Sequence, residues 1–237
     1  MDVGHVAVVP MDFPARQLFI RADGDVEGWR SGACRKEPET YQWLRNVIGE
    51  GTVMYDIGAC VGSYALIAAA LGAEVHAFEP VGMSFGHLVE NTMLNDLQGR
   101  ITCHPIALAE TTGLAEIRLQ WPYAGVASHS WNGKRHQGDG SFRFGINVIQ
   151  ERLDDFASRF KLPMPDAVKI DVDGREANVI EGGREVLSEA SSIMVESNID
   201  TGMDTRVMLQ GMGFKFVEQT LRSNNDYNML FEKKRVR

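Results

Sequence analysis

The stretch Val53-Met54-Tyr55-Asp56-Ile57-Gly58-Ala59-Cys60-Val61-Gly62-Ser63 decides how the rest of the chain is read. Its first five residues are an apolar, β-rich run. They stop at a turn bracketed by Gly58 and Gly62, after which Ser63 to Leu71 reads as a small-residue helix closed by Gly72. Strand, glycine turn and helix in that order predict a βα unit of a mostly parallel sheet. Glycines in such a turn let a ligand approach the backbone, and open N–H groups at the helix start can receive a carboxylate or phosphate. Taken alone the two glycines are weak evidence, because any tight βα turn favours glycine.

The rhythm continues outward. Glu74 to Phe78 is the next strand, Met83 to Leu94 a helix with Phe85, Leu88, Val89, Thr92 and Met93 on one stripe, and Ile101 to Ala107 a third strand. Beyond Pro163-Met164-Pro165 come a fourth strand, Ala167 to Asp171, a helix burying Ala177, Ile180 and Leu187, and a fifth strand, Ile193 to Glu196. A helix from Thr205 to Leu209 and two strands, Phe214 to Gln219 and Tyr227 to Glu232, close the chain as a predicted hairpin. Two segments fall outside this pattern. Residues 1–37 read as irregular chain with a short strand at Leu18-Phe19-Ile20, a cap segment ahead of a helix from Pro38. Residues 121–145, rich in glycine and aromatics, read as a lid inserted into one α/β domain spanning 38–237.

Composition narrows the function. The 237 residues carry 32 Asp+Glu against 24 Lys+Arg, and this acidic balance argues against a protein that grips nucleic acid by neutralising phosphates. No apolar run approaches the ~20 residues of a membrane span, and the start of the chain lacks a basic-then-apolar signal layout. The cytoplasm is the expected compartment. Cys34, Cys60 and Cys103 are far apart and form no CxxC pair, so reduced thiols are expected.

Two acidic groups give the turn its meaning. Glu79 ends the second strand about twenty residues after Gly58, where a carboxylate in a doubly wound sheet accepts the ribose hydroxyls of an adenosine. A dinucleotide fingerprint GxGxxG keeps acids away from its pyrophosphate; here Ala59-Cys60 replaces the middle glycine and Asp56 precedes the turn. S-adenosylmethionine, with a sulfonium and an ammonium beside one carboxylate, suits acidic surroundings better. Further on, Lys169, Asp171, Asp173 and Glu176 gather at the carboxyl end of the fourth strand, with Lys169 and Asp171 pointing the same way. Glu196 ends the neighbouring strand. Such carboxylates orient or deprotonate an acceptor, or bind a divalent cation that lowers its pKa, and the spacing leaves both open. His129 and His136 in the insertion are the remaining acid/base candidates.

The series Lys36-Glu37-Pro38-Glu39-Thr40, Tyr55 to Tyr64, Ala77-Phe78-Glu79-Pro80, Asn91 to Asn95, Ile106-Ala107-Leu108, Lys169 to Gly174 and Val195-Glu196 resembles the FkbM family of S-adenosylmethionine-dependent methyltransferases, in the right order over residues 36–232. The resemblance implies an α/β fold of the class I methyltransferase, Rossmann-like kind: a seven-stranded mixed sheet with helices on both faces and the last strand antiparallel beside the fifth. It places Asp56, Gly58, Ala59, Cys60 and Asp171 around the methionine part of the donor, Glu79 and Pro80 at the ribose, and Ala107 at the adenine edge, with Glu37 and Thr40 reaching the same pocket. It also implies O-methylation of a sugar or natural-product hydroxyl; the catalytic candidates are Asp171, Lys169 and Asp173 from the acidic cluster and His129 from the insertion. Two positions depart from the family: Cys60 stands where asparagine is usual, and Asp173 where glutamate is common.

The expected reaction is an in-line methyl displacement by an oxygen nucleophile of a small-molecule acceptor, with the three reacting atoms held in line. Its rivals are a nicotinamide-dependent oxidoreductase, which shares the ribose acid but lacks its glycine turn here, and a non-catalytic adenosyl-ligand sensor, which the Cys60 departure suggests.

Overall fold

The computed structural model of the chain describes residues 7–125, 130–131, 144–223 and 225–233. Strands β1 (Val8–Pro10) and β2 (Phe19–Arg21) and helices α1 (Asp25–Arg30), α2 (Ala33–Lys36) and α3 (Pro38–Val47) lead into β3 (Val53–Ile57), α4 (Ser63–Ala70), β4 (Glu74–Phe78), α5 (Gly82–Leu94) and β5 (Ile101–His104). Next come β6 (Ala107–Leu108), β7 (Gly113–Leu119), β8 (Ser130–Trp131), β9 (Phe144–Glu151) and α6 (Leu153–Phe160). The last part holds β10 (Ala167–Ile170), α7 (Glu176–Gly182), α8 (Arg184–Ser188), β11 (Ser192–Asn198), α9 (Gly202–Gly211), β12 (Lys215–Leu221) and β13 (Asp226–Glu232).

The main sheet runs β12-β13-β11-β10-β3-β4-β5 and is parallel except for β13, which is antiparallel to both neighbours. This is the class I methyltransferase sheet, with the last strand slotted beside the fifth as expected. Alternation along the strands feeds two cores. Met54, Ala77, Ala167, Met194 and Leu230 pack toward α3 and α4, while Tyr55, Ile57, Val168, Ile193 and Phe231 pack toward α6 to α9. Helix α4 is buried from Ser63 to Ala69 because it lies between the sheet and Met11, Phe13, Leu18 and Ile20 of the first segment. A helix covered on both sides needs small side chains, and four of its eight residues are alanine.

The first segment is more regular than its sequence suggests. β1 pairs with β2, and helix α5 satisfies the outer edge of β2. Asn95 Oδ1 accepts from Phe19 N–H at 2.8 Å and Asn91 Oδ1 from Arg21 N–H at 2.7 Å, while Asn95 Nδ2 donates to Phe19 O. Two asparagines spaced i, i+4 on one helix face thus stand in for a neighbouring strand. Asn91 Nδ2 also donates to Val61 O at 2.9 Å, tying the same edge to the glycine turn.

Three local readings change. The strand expected at Ile101 to Ala107 divides at Pro105, which has no N–H to continue the ladder, and Ala107-Leu108 joins a second sheet, β6-β9-β7-β8. Strands β7 and β9, which the sequence reading left unassigned, pair antiparallel and flank the 121–145 segment, so Phe144 and Gly145 already belong to β9. The helix after β10 breaks at Gly182-Gly183, and its buried face is Val179, Ile180, Val186 and Leu187 rather than Ala177. A Cβ on Gly182 would fall 1.9 Å from Ala109 O, so β6 approaches there too closely for any side chain.

Candidate functional site

Strands β3, β4 and β10 end together at the carboxyl edge of the sheet, where an open α/β fold binds its ligands. The glycine turn after β3 is fixed by hydrogen bonding. Gly58 and Ala59 N–H both donate to Phe78 O at 3.0 Å, Gly62 N–H donates to Ala59 O, and Cys60 N–H donates to Glu79 Oε2 at 2.8 Å. The N–H groups at these four positions of the turn are therefore committed to the fold. Gly58 has φ +84°, and a Cβ there would lie 1.8 Å from Asp171 O, so the glycine is dictated by the close approach of β10. Cys60 is also left-handed, at φ +54°. Asparagine tolerates that region better than other side chains, which accounts physically for the residue usual in the family.

Glu79 is 5% exposed. Besides Cys60, it holds Val81 N–H through Oε1 at 2.7 Å, so it fastens the turn to the start of α5.

Two clefts meet at Gly58. One is lined by Ile57, Phe78, Pro80, Ile106, Ala107, Leu108, Val172 and Arg175. Arg175 is held by Glu110 at 3.2 Å. Pro80 and Ala107 both line this slot, which is mostly apolar. The other, of about 330 Å³, is lined by Gly58, Ala59, Cys60, Ser63, Tyr64, Lys169 and Asp171, with Arg30, Ala33 and Lys36 from the first segment.

The charges of this second cleft correct the sequence reading. Three cations, Arg30, Lys36 and Lys169, line it beside Asp171, while the acids Asp56 and Glu37 lie behind the wall. Asp56 is 1% exposed, with neither carboxylate oxygen in good hydrogen-bond geometry among the described residues. Burial pushes its carboxyl up to about 6, against the pull of Lys169 on the neighbouring strand. Glu37 is 0% exposed, accepts from Thr40 Oγ1 at 3.1 Å and pairs with Lys36 at 2.8 Å and Arg222 at 2.9 Å. Burial would raise Glu37, but Lys169, Lys36 and Arg222 outweigh it and hold the carboxyl at about 2. Glu37 and Thr40 therefore do not reach the cleft surface; they fix Lys36, which does.

Lys169 Nζ lies 2.8 Å from Asp171 Oδ2, so the two point the same way as the alternation required. Burial works against the Lys169 charge, yet Asp171, Asp56 and Glu37 hold its pKa above the ordinary lysine value. Asp173 sits at φ +52° and faces Arg30 electrostatically. Glu176 Oε1 accepts from Gly174 N–H at 2.9 Å, and burial pushes its carboxyl up to about 7. His129 and His136 lie outside the described residues. Among the described residues no group of three or more His, Cys, Asp or Glu side chains is placed to hold a metal ion, and no helix is long and apolar enough to cross a membrane.

Like Lys36, Tyr64 and Arg175, Arg30 is a cleft residue that sequence reasoning did not name as a site candidate. Its Nε and Nη2 donate to Gly125 O at 3.1 and 2.9 Å, while Gly125 N–H donates to Ser84 Oγ at 3.2 Å. It comes from a segment with neither periodicity nor charge pattern, so nothing local marked it.

A glycine-turn sheet of this order, with a base-sized slot and a polar cleft joined at its first crossover, defines the class I methyltransferase architecture. Solved structures agree on the fold. A putative methyltransferase, yhhF, from Escherichia coli covers 97% of this chain and 100% of its own at TM-score 0.55 and 13% identity. The precorrin-6y C5,15-methyltransferase of Geobacter metallireducens covers 84% and 87% at TM-score 0.50 and 19% identity. The methyltransferase FkbM domain model matches residues 56–229, and the chain belongs to that family. Among curated relatives, the hexuronic acid methyltransferase AglP of Haloferax volcanii is 28% identical over 180 residues, 76% of this chain and 69% of that protein. The 2-O-methyltransferase NoeI of Sinorhizobium fredii is 29% identical over 157 residues, 61% of this chain and 62% of that protein.

Proposed function

We propose that this protein transfers the methyl group of S-adenosylmethionine to a hydroxyl of a sugar or sugar-like small molecule. The observation that carries the reading is the pair of clefts meeting at Gly58 beside a turn whose N–H groups at Gly58, Ala59, Cys60 and Gly62 are spent on the fold. A pyrophosphate needs such donors; an adenosine joined to an amino acid needs a flat apolar slot and a cleft with both signs of charge. In this reading the base lies against Phe78, Ile106, Ala107 and Leu108, and Glu79 and Pro80 border the ribose. The amino-acid end lies between Asp171, whose charge suits the ammonium, and Arg30 and Lys36, whose charges suit the carboxylate. Asp56 adds negative potential from beneath.

The bound donor supplies a methyl group on a cationic sulfur; the chain's own residues orient the acceptor, exclude water and take its proton. Residues 1–37 act as a cap, through Arg30 and Lys36, and 121–145 as a lid that sets acceptor specificity. One relative's name, a hexuronic acid methyltransferase, and another's, a 2-O-methyltransferase, favour a carbohydrate hydroxyl as acceptor. Three free thiols fit the reducing cytoplasm, where we place the protein.

Calorimetry with S-adenosylhomocysteine and with NAD, followed by labelled-methyl transfer to a panel of uronic acids, neutral hexoses and their glycosides, tests the reading. Binding of the homocysteine compound and label in a sugar fraction are expected. NAD binding with no homocysteine binding overturns the donor assignment, and donor binding with no labelled product makes the protein a sensor.

A further inference from the structure

Strands β10 and β11 run parallel with Ile170 opposite Val195, so the next rung sets Asp171 beside Glu196 at the carboxyl edge, on the face that carries Lys169. Asp171 lines the polar cleft, and Glu196 stands one strand further from the glycine turn, immediately beside it.

The other carboxylates here are committed. Asp171 holds Lys169 at 2.8 Å, Glu79 holds two backbone N–H groups, and Glu176 holds Gly174 N–H. Asp56 is sealed at 1% exposure and Glu37 at 0%. Asp173 has an interaction of its own, and its charge bears on Arg30. Glu196 is half-buried and has no hydrogen-bond or ion-pair partner among the described residues. Its neighbour on the other side, Asn228, turns its amide away to Glu39 Oε1 at 3.0 Å and Thr40 Oγ1 at 3.2 Å.

We propose that Glu196 is the general base of the transfer and that Asp171, held by Lys169, is the group that positions it and the acceptor. This rests on the methyl-transfer reading above. As the acceptor oxygen bonds to the methyl carbon, its O–H proton passes to the Glu196 carboxylate. The S–C bond breaks with its electron pair on sulfur, leaving a methyl ether, a neutral thioether and a protonated glutamate. The surroundings suit the task. Asp171 and Glu37 repel a charge on Glu196, Lys169 and Arg222 attract it, and Asp171 together with burial prevails, so the carboxyl is pushed up to about 8. The ionised fraction of such a carboxyl, which grows from neutral to weakly alkaline pH, draws a proton more strongly than an ordinary glutamate does.

The test is a carbon-13 NMR titration of the ligand-free protein with its glutamate carboxyls labelled. One signal titrating in the neutral to weakly alkaline range should vanish in Glu196→Gln, leave the Glu176 signal in place, and move down by about one pH unit or more in Asp171→Asn. Glu196→Gln should bind S-adenosylhomocysteine within about twofold of wild type while methyl transfer to the sugar found in the panel falls by about 10²–10⁴-fold. A Glu196 signal in the ordinary glutamate range, or undiminished transfer by Glu196→Gln, overturns the proposal. Failure of wild type to bind S-adenosylhomocysteine would instead defeat the methyl-donor reading, so the two failures are distinguishable.

Discussion

Gly58→Ala is the sharpest probe of how the site is built. The added methyl would meet Asp171 O at 1.8 Å and its carbonyl carbon at 2.8 Å, while the backbone stays at φ +84°. Holding an L-residue in the left-handed region costs about 1–2 kcal/mol. Overpacking costs about 1–3 kcal/mol more, because the obstacle is backbone and cannot swing away as a side chain would. The sum, ~2–5 kcal/mol, corresponds to a fall in melting temperature of roughly 4–20 °C for a chain of this size. Relief requires Asp171 to retreat, and its contact with Lys169 goes with it. Urea denaturation followed by circular dichroism gives the stability, and calorimetry with S-adenosylhomocysteine gives the site. Gly113→Ala, with nothing within 4 Å of the new methyl, is the control and should stay near wild type. A Gly58→Ala protein within ~0.5 kcal/mol of wild type would show that β3 and β10 do not meet as described.

Three other substitutions probe the frame around the site. Cys60→Asn should raise stability by up to ~1 kcal/mol, read by thermal denaturation, because asparagine relaxes the left-handed strain at φ +54°; a loss of stability would mean that the thiol packs in a way an amide cannot. Asn91→Ala should cost ~2–4 kcal/mol in urea, since it strands both the Arg21 N–H and Val61 O at a position with 0% exposure, whereas a loss under ~1 kcal/mol would point to water taking its place. The buried His76–His104 pair, joined at 3.0 Å, should make stability fall with acid. Burial and the neighbouring histidine lower His104 to about 4, below the unfolded value near 6.5. The stabilisation is therefore complete above pH ~6.5 and fades toward pH ~4, by at most ~3 kcal/mol. Asp56 and Glu176, pushed the other way, give the opposite slope. The difference between wild type and His104→Phe therefore isolates the histidine contribution, and parallel pH curves for the two proteins would refute it.

What the sequence disclosed follows from how local each signal is. Strands β3, β4, β10, β11 and β13 announce themselves because a parallel or inserted strand buried on both faces is a nearly unbroken apolar run, as Ala167–Ile170 shows. Residues 113–119 alternate as a strand should, yet partner residues 144–151 lie across an insertion, and only the folded chain brings Leu114 opposite Ile149. The first segment hid its order for a similar reason. β2 is three residues long and its edge is satisfied by asparagine side chains seventy or more positions away, which no windowed periodicity can register.

The acids were legible as a set but not as individuals. Sequence spacing gathers Asp56, Asp171, Asp173, Glu176 and Glu196 at strand ends, and treats them alike. Burial and partners then divide them. A carboxylate with a lysine at 2.8 Å has one oxygen already engaged, one that is 1% exposed cannot touch an acceptor, and one fixed to a backbone N–H has lost part of its freedom to move. The same sorting reverses the simplest electrostatic reading of the turn. Negative charge near Gly58 lies mostly in a second layer, while Arg30 and Lys36 bring positive charge to the surface of the cleft. A zwitterionic amino-acid end calls for both signs in one cleft. The cations come from the segment with the least sequence signal, and so the part of the site that fits a carboxylate became visible only after that segment had folded over the turn.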